Sequence, residues 1–211
     1  MGSILIDDIK KILNCNDSLI IFEIGSNTGS DTRRFLKAFP NMNIYCFEPD
    51  SRCIRKFKKI INEDRVTLIE AAVSDNNGVI DFYLSGGSKK NHKSQHISSS
   101  SIKTPLNHLK KHPWCKFEKT IKVNTVSLDS WCNDNSIDYI DFIWADVQGA
   151  EEELILGAKN ILRKTKYFYT ECSDEELYRN QINKDTLKEM LPWFDVKEDF
   201  GNNILLENKE I

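Results

Sequence analysis

The chain has 211 residues and 24.4 kDa, with 40% hydrophobic and 29% charged residues, nine Gly and five Pro, a composition that excludes disordered, collagenous and fibrous classes and fits a soluble globular protein. This length favours one well-cored domain over 1–211 rather than two, and no apolar run approaches the roughly 20 residues of a membrane-spanning helix. The net charge of −3 conceals an asymmetry, because residues 88–122 hold nine Lys, one acid (Glu118) and all four histidines.

Leu19–Ile24 reads as a strand that ends in Gly25-Ser26-Asn27-Thr28-Gly29 and passes into a helix, with Ser30 or Asp31 as cap, Phe35, Leu36 and Phe39 on one face and Pro40 at the end. Asn43–Phe47 is a second apolar strand closed by Glu48-Pro49, Ile54, Phe57, Lys58 and Ile61 recur at helical spacing behind it, and Val66–Ala71 is a third strand. Strands alternating with helices imply parallel pairing through crossovers, the α/β doubly wound class. Asn76-Asn77-Gly78 marks a turn before the alternating strand Val79–Leu84, and the Gly/Ser/Lys-rich stretch Ser85–Thr104 is expected to be a long functional loop. A basic substrate-side loop is placed at about 85–119. Ile121–Val126 alternates as a strand, Ser127 and Asp129 look like caps of a short helix, and Tyr139–Ala145 is an apolar strand ending in Asp146. Gly149 opens a helix over Glu151–Ala158, Lys166–Thr170 is a strand ending in Glu171, and Asp185–Leu191 is a helix. Phe194–Lys197 and Asn203–Leu206 form a terminal antiparallel pair around Gly201-Asn202.

The six cysteines form no CxxC pair and no signal peptide precedes them, so buried thiols in a cytoplasmic protein are expected. Ile6 stands where a myristoylation signal wants Ser or Thr, and the opening residues leave room for a longer parent polypeptide. The lysine-rich segment is either a solvated loop or a surface that meets something anionic.

In a doubly wound sheet the ligand crevice lies beyond the carboxyl ends of the strands. Those positions are acidic here: Glu23 with Gly25–Gly29, then Glu48, Asp75, Asp146 and Glu171. Any one of them can be only a helix cap. Glu48 stands 23 residues after Gly25, where an acid accepts the two hydroxyls of an adenosine ribose. Asn27 and Thr28 occupy the middle of the glycine turn, so the G-x-G-x-x-G dinucleotide fingerprint is absent, which counts against NAD. S-adenosylmethionine has no phosphate and needs polar side chains and backbone groups instead.

Phe22–Gly29, Phe47-Glu48-Pro49, Ala71–Asp75, the serine run Ser98–Ser101, Val126–Asp129, Ile140–Ile143, Asp146-Val147-Gln148-Gly149-Ala150-Glu151, Tyr169–Glu171 and Leu177-Tyr178 occur in an order and spacing that resembles the FkbM-type S-adenosylmethionine-dependent methyltransferases, of the class I Rossmann-like fold. The resemblance runs from Phe22 to Asn208. It implies a seven-stranded, mostly parallel sheet with an antiparallel last strand. It also implies a donor site in which Gly25, Asn27 and Gly29 line the methionine end, Glu48 holds the ribose hydroxyls, Ala72, Val73, Ser74 and Asp75 lie along the adenine and Asp146 lies near the sulfonium and the acceptor, with Glu23, Ser26 and Pro49 also among the donor-binding residues. Where many members resemble Ile-Lys-Ile-Asp, this chain has Ile143-Trp144-Ala145-Asp146, so a lysine is replaced by a residue that is either core or an aromatic wall. Ser99, Ser100, Trp144 and Gln148 are expected on the acceptor side.

The implied reaction is methyl transfer to a hydroxyl of a sugar, glycan or similar polyhydroxylated acceptor, and it needs a general base. Asp146 is the first choice, Glu171 the second or its partner, and His96, before the serine run, the third. Two carboxylates in one cleft either raise one pKa or together hold a divalent cation, and the sequence does not decide between these. No metal site is predicted, since the i,i+4 pairs His92/His96 and His108/His112 lie outside convincing helices. The expected partner is a small-molecule or glycan acceptor of anionic character, contacted by Lys89 and Lys90, and not a membrane. A nucleic-acid methyltransferase is disfavoured by the near-neutral charge and the lack of an aromatic-basic platform, an NAD oxidoreductase by the missing glycine. A non-catalytic donor-binding module of a larger glycan-processing protein is disfavoured by the retained Asp146 and Glu171.

Overall fold

The computed structural model describes residues 4–88 and 96–211, so that Lys89, Lys90 and His92 lie outside the described residues. Helix α1 (Ile6–Ile12) leads into β1 (Ile20–Ile24), α2 (Ser30–Ala38), β2 (Asn43–Phe47), α3 (Ser51–Ile60) and β3 (Val66–Ile69). Strands β4 (Ala72–Val73) and β5 (Gly78–Gly87), the one-turn α4 (His108–Lys111) and β6 (Cys115–Val126) follow. The regular alternation then resumes with α5 (Leu128–Asp134), β7 (Ile140–Ala145), α6 (Glu151–Leu156), α7 (Lys159–Leu162), β8 (Thr165–Glu171), α8 (Lys184–Met190), β9 (Phe194–Asp199) and β10 (Asn203–Asn208).

The main sheet has the order β3-β2-β1-β7-β8-β10-β9, and β10 alone runs antiparallel to its neighbours. This is the seven-stranded, doubly wound sheet expected from the sequence. Its inner strands read as continuous apolar runs because both faces are covered, whereas the edge strand β9 is mostly polar and exposed after Phe194. Ile21 of β1 enters one layer with Phe35 of α2 and Phe57 of α3, whereas Phe22 and Ile24 enter the other with Leu128, Leu154, Ile161 and Leu187 from α5 to α8. The chain winds outward from β1 on one side and returns at β7 on the other, which leaves a crevice beyond their carboxyl ends. Gly25 closes β1 with φ +86°, and a Cβ there would lie 2.1 Å from the Asp146 carbonyl oxygen, so no side chain fits where β1 and β7 run out together.

The structure corrects several boundaries. The cap of α2 is Gly29, with Ser30 and Asp31 already inside the helix. Ser127 caps α5 as expected, accepting from the Ser130 N–H, but Asp129 reaches across to α7 and accepts from the N–H groups of Asn160 and Ile161. The third strand stops at Ile69 because Ala72 and Val73 leave to pair in parallel with Thr125 and Val126, forming a second sheet of order β4-β6-β5. Antiparallel pairing of β5 with β6 extends from Gly78–Thr125 to Gly87–Cys115, so residues 85–87 and 115–119 of the expected loop are strand. Ala72, Phe82, Leu84 and Val123 give this sheet a small core of its own. Cys15 is half-buried, the other five cysteines are buried, and all six are free thiols. Among the described residues no helix is long and apolar enough to cross a membrane.

Candidate active site

The strand ends of the main sheet and the inner side of the second sheet enclose a cavity of about 300 Å³. The turn after β1 contributes Gly25, Ser26, Asn27 and Thr28, the end of β2 Glu48 and Pro49, and β4 Ala72 and Val73. Trp144, Asp146, Val147 and Gln148 enter from the end of β7, and Ser98 and Ser100 from the serine run. Eleven of the sequence-predicted site residues thus share one cavity wall: Gly25, Ser26, Asn27, Glu48, Pro49, Ala72, Val73, Ser100, Trp144, Asp146 and Gln148.

Glu48 is fixed by two backbone donors, the Asp50 N–H on Oε1 at 2.7 Å and the Asn27 N–H on Oε2 at 2.8 Å. Asn27 reaches this position in the left-handed region, φ +49°, which asparagine tolerates better than most residues. Burial pushes the Glu48 pKa up to about 7, and the two N–H donors oppose that shift. One lone-pair direction remains on each oxygen, which suits a vicinal diol.

At the other end of the cavity a polar network joins two carboxyls. The Gln148 amide donates to Asp146 Oδ1 at 2.5 Å and to Glu171 Oε2 at 3.3 Å. Gln148 has φ +54° and Gly149 φ +91°, a sharp reversal in which a Cβ on Gly149 would meet the Tyr178 ring at 2.9 Å. The Tyr178 hydroxyl lies 2.8 Å from the Ser99 carbonyl and 2.9 Å from Gln148 Oε1, and its one proton serves one of them at a time. Burial raises the pKa of both carboxyls, aided at Asp146 by the charge of Asp31 and at Glu171 by the charge of Asp146. Two buried carboxyls this close disfavour simultaneous ionisation, so the pair holds a proton more readily than either carboxyl would alone. Trp144 packs on Tyr169, ring centroids 4.5 Å apart, and edge-on to Phe35 at 5.7 Å, so it is part of the core and also an aromatic edge of the cavity.

Other expected site residues lie off the wall. Glu23 points into the opposite layer, 2% exposed, and accepts from the Thr32 hydroxyl at 2.5 Å. Gly29 packs against Phe57 and Ile61, and the Ser74 hydroxyl donates to Asp75 beyond the cavity. Ser99 is buried, with its N–H given to the Ser85 hydroxyl, and His96 Nε2 lies 2.8 Å from Ser99 Oγ while its ring meets Trp114. Glu171 joins only through Gln148 and Asp146. The serine run is thus largely a clasp, since Ser101 also donates to the Gln148 carbonyl. Thr28 and Val147 lie inside the quoted motifs, Ser30 and Asp31 just beyond the first of them, and Tyr178 in the Leu177-Tyr178 pair, none of them expected in the site, whereas Phe82, Ile97 and Ile102 arrive by folding of distant segments.

The family model of the FkbM methyltransferase domain matches residues 23–204. The chain belongs to the FkbM methyltransferase family. It is 41% identical over 197 residues to the 2-O-methyltransferase NoeI of Sinorhizobium fredii (strain NBRC 101917 / NGR234), covering 91% of this chain and 80% of that protein. Among solved structures, a putative rRNA-methylase from Clostridium thermocellum superposes with a TM-score of 0.54 at 14% identity, over 96% of this chain and 92% of that one. Aeropyrum pernix fibrillarin, in complex with natively bound S-adenosyl-L-methionine, gives 0.50 at 13% identity, over 92% and 68%. These two likenesses show a shared Rossmann-like methyltransferase fold.

The FkbM-family chain is thus a methyltransferase that uses S-adenosylmethionine, and the cavity fits that cofactor. Ser26 Oγ is buried at its wall with no hydrogen-bond partner among the described residues, and the doubly seated Glu48 carboxylate suits a ribose diol.

Proposed function

We propose that this FkbM-family enzyme methylates a hydroxyl of a sugar or similar polyhydroxylated small molecule, with Asp146 as the general base. The observation that carries this reading is the Asp146–Gln148–Glu171 network on the wall of the same cavity as Glu48. The 2-O-methyltransferase relative supports oxygen as the acceptor atom. When bound, S-adenosylmethionine supplies an electrophilic methyl carbon whose bond to sulfur breaks as its bond to the acceptor oxygen forms. Glu48 holds the ribose hydroxyls, Gly25, Ser26 and Asn27 the amino-acid end, and Ala72 and Val73 flank the adenine. Asp146 takes the acceptor proton, Gln148 fixes its orientation, and Glu171 adjusts its basicity through the shared proton. Trp144 supplies an aromatic edge against which a sugar ring packs, and Ser98 and Ser100 supply hydroxyls on the same cavity wall.

Calorimetric titration with S-adenosylhomocysteine tests the donor half: wild type binds at micromolar strength and Glu48→Ala loses about tenfold or more. Absence of binding by the folded wild type overturns the donor-site assignment. Radiolabelled methyl transfer to a panel of sugars tests the acceptor half. Asp146→Asn is expected to keep S-adenosylhomocysteine binding and lose about 100-fold or more in kcat, and unchanged turnover removes Asp146 as base.

A further inference from the structure

A second groove, of about 330 Å³, runs along α3 and is lined by Arg52, Arg55, Lys56, Lys59 and Ile97. It has four cations and no acid in its lining, and Ile97 also belongs to the cavity wall, so the two spaces share a side. The cations stand at i, i+3, i+4 and i+7, one stripe about 10 Å long on a helix face. Each neighbouring pair in that stripe is a like-charge pair that works against the helix. Arg52 is accounted for by Asp50, the Ser85 carbonyl at 3.0 Å and the Ser100 hydroxyl at 3.3 Å, which ties α3 to the cavity's serine wall. Arg55, Lys56 and Lys59 have no hydrogen-bond or ion-pair partner among the described residues. Lys59 sits in the last turn, where the helix dipole favours a cation, but Arg55 and Lys56 stand mid-helix, where it does not. Folding leaves their charge uncompensated.

We propose that this groove seats the phosphate or diphosphate of the acceptor, whose sugar reaches Asp146 past Ile97, so that the substrate class is a glycosyl phosphate or diphosphate ester. This rests on the sugar O-methyltransferase reading and narrows it. Side chains one turn apart on a helix stand about 5–6 Å from each other at Cβ, close enough for Arg55, Lys56 and Lys59 to share one phosphate or flank two. Arg55 adds a planar fork matched to phosphate oxygens. The same chemistry occurs in soluble nucleoside-diphosphate sugars and in lipid-diphosphate sugars.

The test titrates inorganic pyrophosphate into wild type and into an Arg55→Ala/Lys56→Ala/Lys59→Ala variant, with S-adenosylhomocysteine titrated in parallel. Pyrophosphate is expected to bind wild type, to bind the variant about tenfold more weakly or worse, and to leave S-adenosylhomocysteine binding unchanged in both. Equal binding to the two proteins, no binding to wild type, or displacement of S-adenosylhomocysteine by pyrophosphate overturns the proposal. Loss of S-adenosylhomocysteine binding with the pyrophosphate difference intact strikes instead at the methyl-transfer reading on which it rests. Two further arms, a uridine diphosphate sugar in solution and vesicles carrying a polyprenyl diphosphate sugar, locate the source. Weaker binding by the variant in either arm supports the proposal and names it, and binding in neither overturns it.

Discussion

Glu48 stands between two demands. Burial pushes its pKa up to about 7, with the charges of Asp50 and Asp146 adding to the rise, whereas two hydroxyl donors from a ribose stabilise the ionised form. Donor binding therefore lowers the Glu48 pKa, and by linkage a proton is released on binding between that lowered value and about pH 7. Affinity for S-adenosylhomocysteine is expected to weaken by up to about tenfold per pH unit below that value and to be flat above it. Titrations in two buffers of different ionisation enthalpy check this: proton release appears as pH falls just below 7 in wild type and is absent in Glu48→Gln. A pH-independent affinity without proton release would remove Glu48 from the ribose. Glu48, Gly25 and Asn27 were legible because each follows a strand end, where any ligand of this fold must bind. The role of Tyr178 was not: Leu177-Tyr178 carried part of the family resemblance, but its contact with Gln148 joins residues 30 apart and has no local signature.

Strand β1 carries a buried acid whose cost shows in stability. Glu23 lies in the layer with Phe35 and Phe57, and burial raises its pKa to about 8, against the donation from Thr32. Glu151, in the first turn of α6, is likewise raised to about 8 by burial. The folded chain thus holds protons that the unfolded chain releases from pH 4.5 upward, so folding stability falls as pH rises through that window and levels off above about 8. The melting temperature is expected to drop by several degrees between about pH 6 and pH 8.5, and Glu23→Gln, which cannot ionise, to flatten that slope. An unchanged slope in the variant would contradict a protonated Glu23. The inner strands of the main sheet were readable because each carries its own apolar run, Asn43–Phe47 to the residue. The second sheet was readable in part: Val79–Leu84 and Ile121–Val126 were expected as strands and fall within β5 and β6, whereas the rest was not. Two-residue β4 is defined only by pairing with Thr125 and Val126, and the first half of β6 presents Lys116, Glu118 and Lys119 to solvent, a polar edge that reads as loop.

At the scale of the molecule, the charge asymmetry has two parts and the sequence displayed only one. Residues 88–122 announce their lysines in a single run, but α2 and α3 together carry eight Lys and Arg against one acid, interleaved with the apolar positions that dominate any reading of an amphipathic helix. The segment 88–122 contains Ile97 and α3 borders it, on one wall of the cavity. No strand of one sheet pairs with a strand of the other among the described residues, and the ties across their meeting include the side chains of Arg52, Ser101 and Tyr178. A ligand that touches both walls therefore links two bodies with separate cores, and its binding energy opposes their local opening. S-adenosylhomocysteine is expected to slow backbone hydrogen exchange in 25–31 and 47–50 and also in 97–102, while β9 and β10, at the far edge of the main sheet, exchange as before. Protection confined to 25–50 would mean that the donor rests on the main sheet alone and that the second sheet, with Ile97 and the serine clasp, faces only the acceptor.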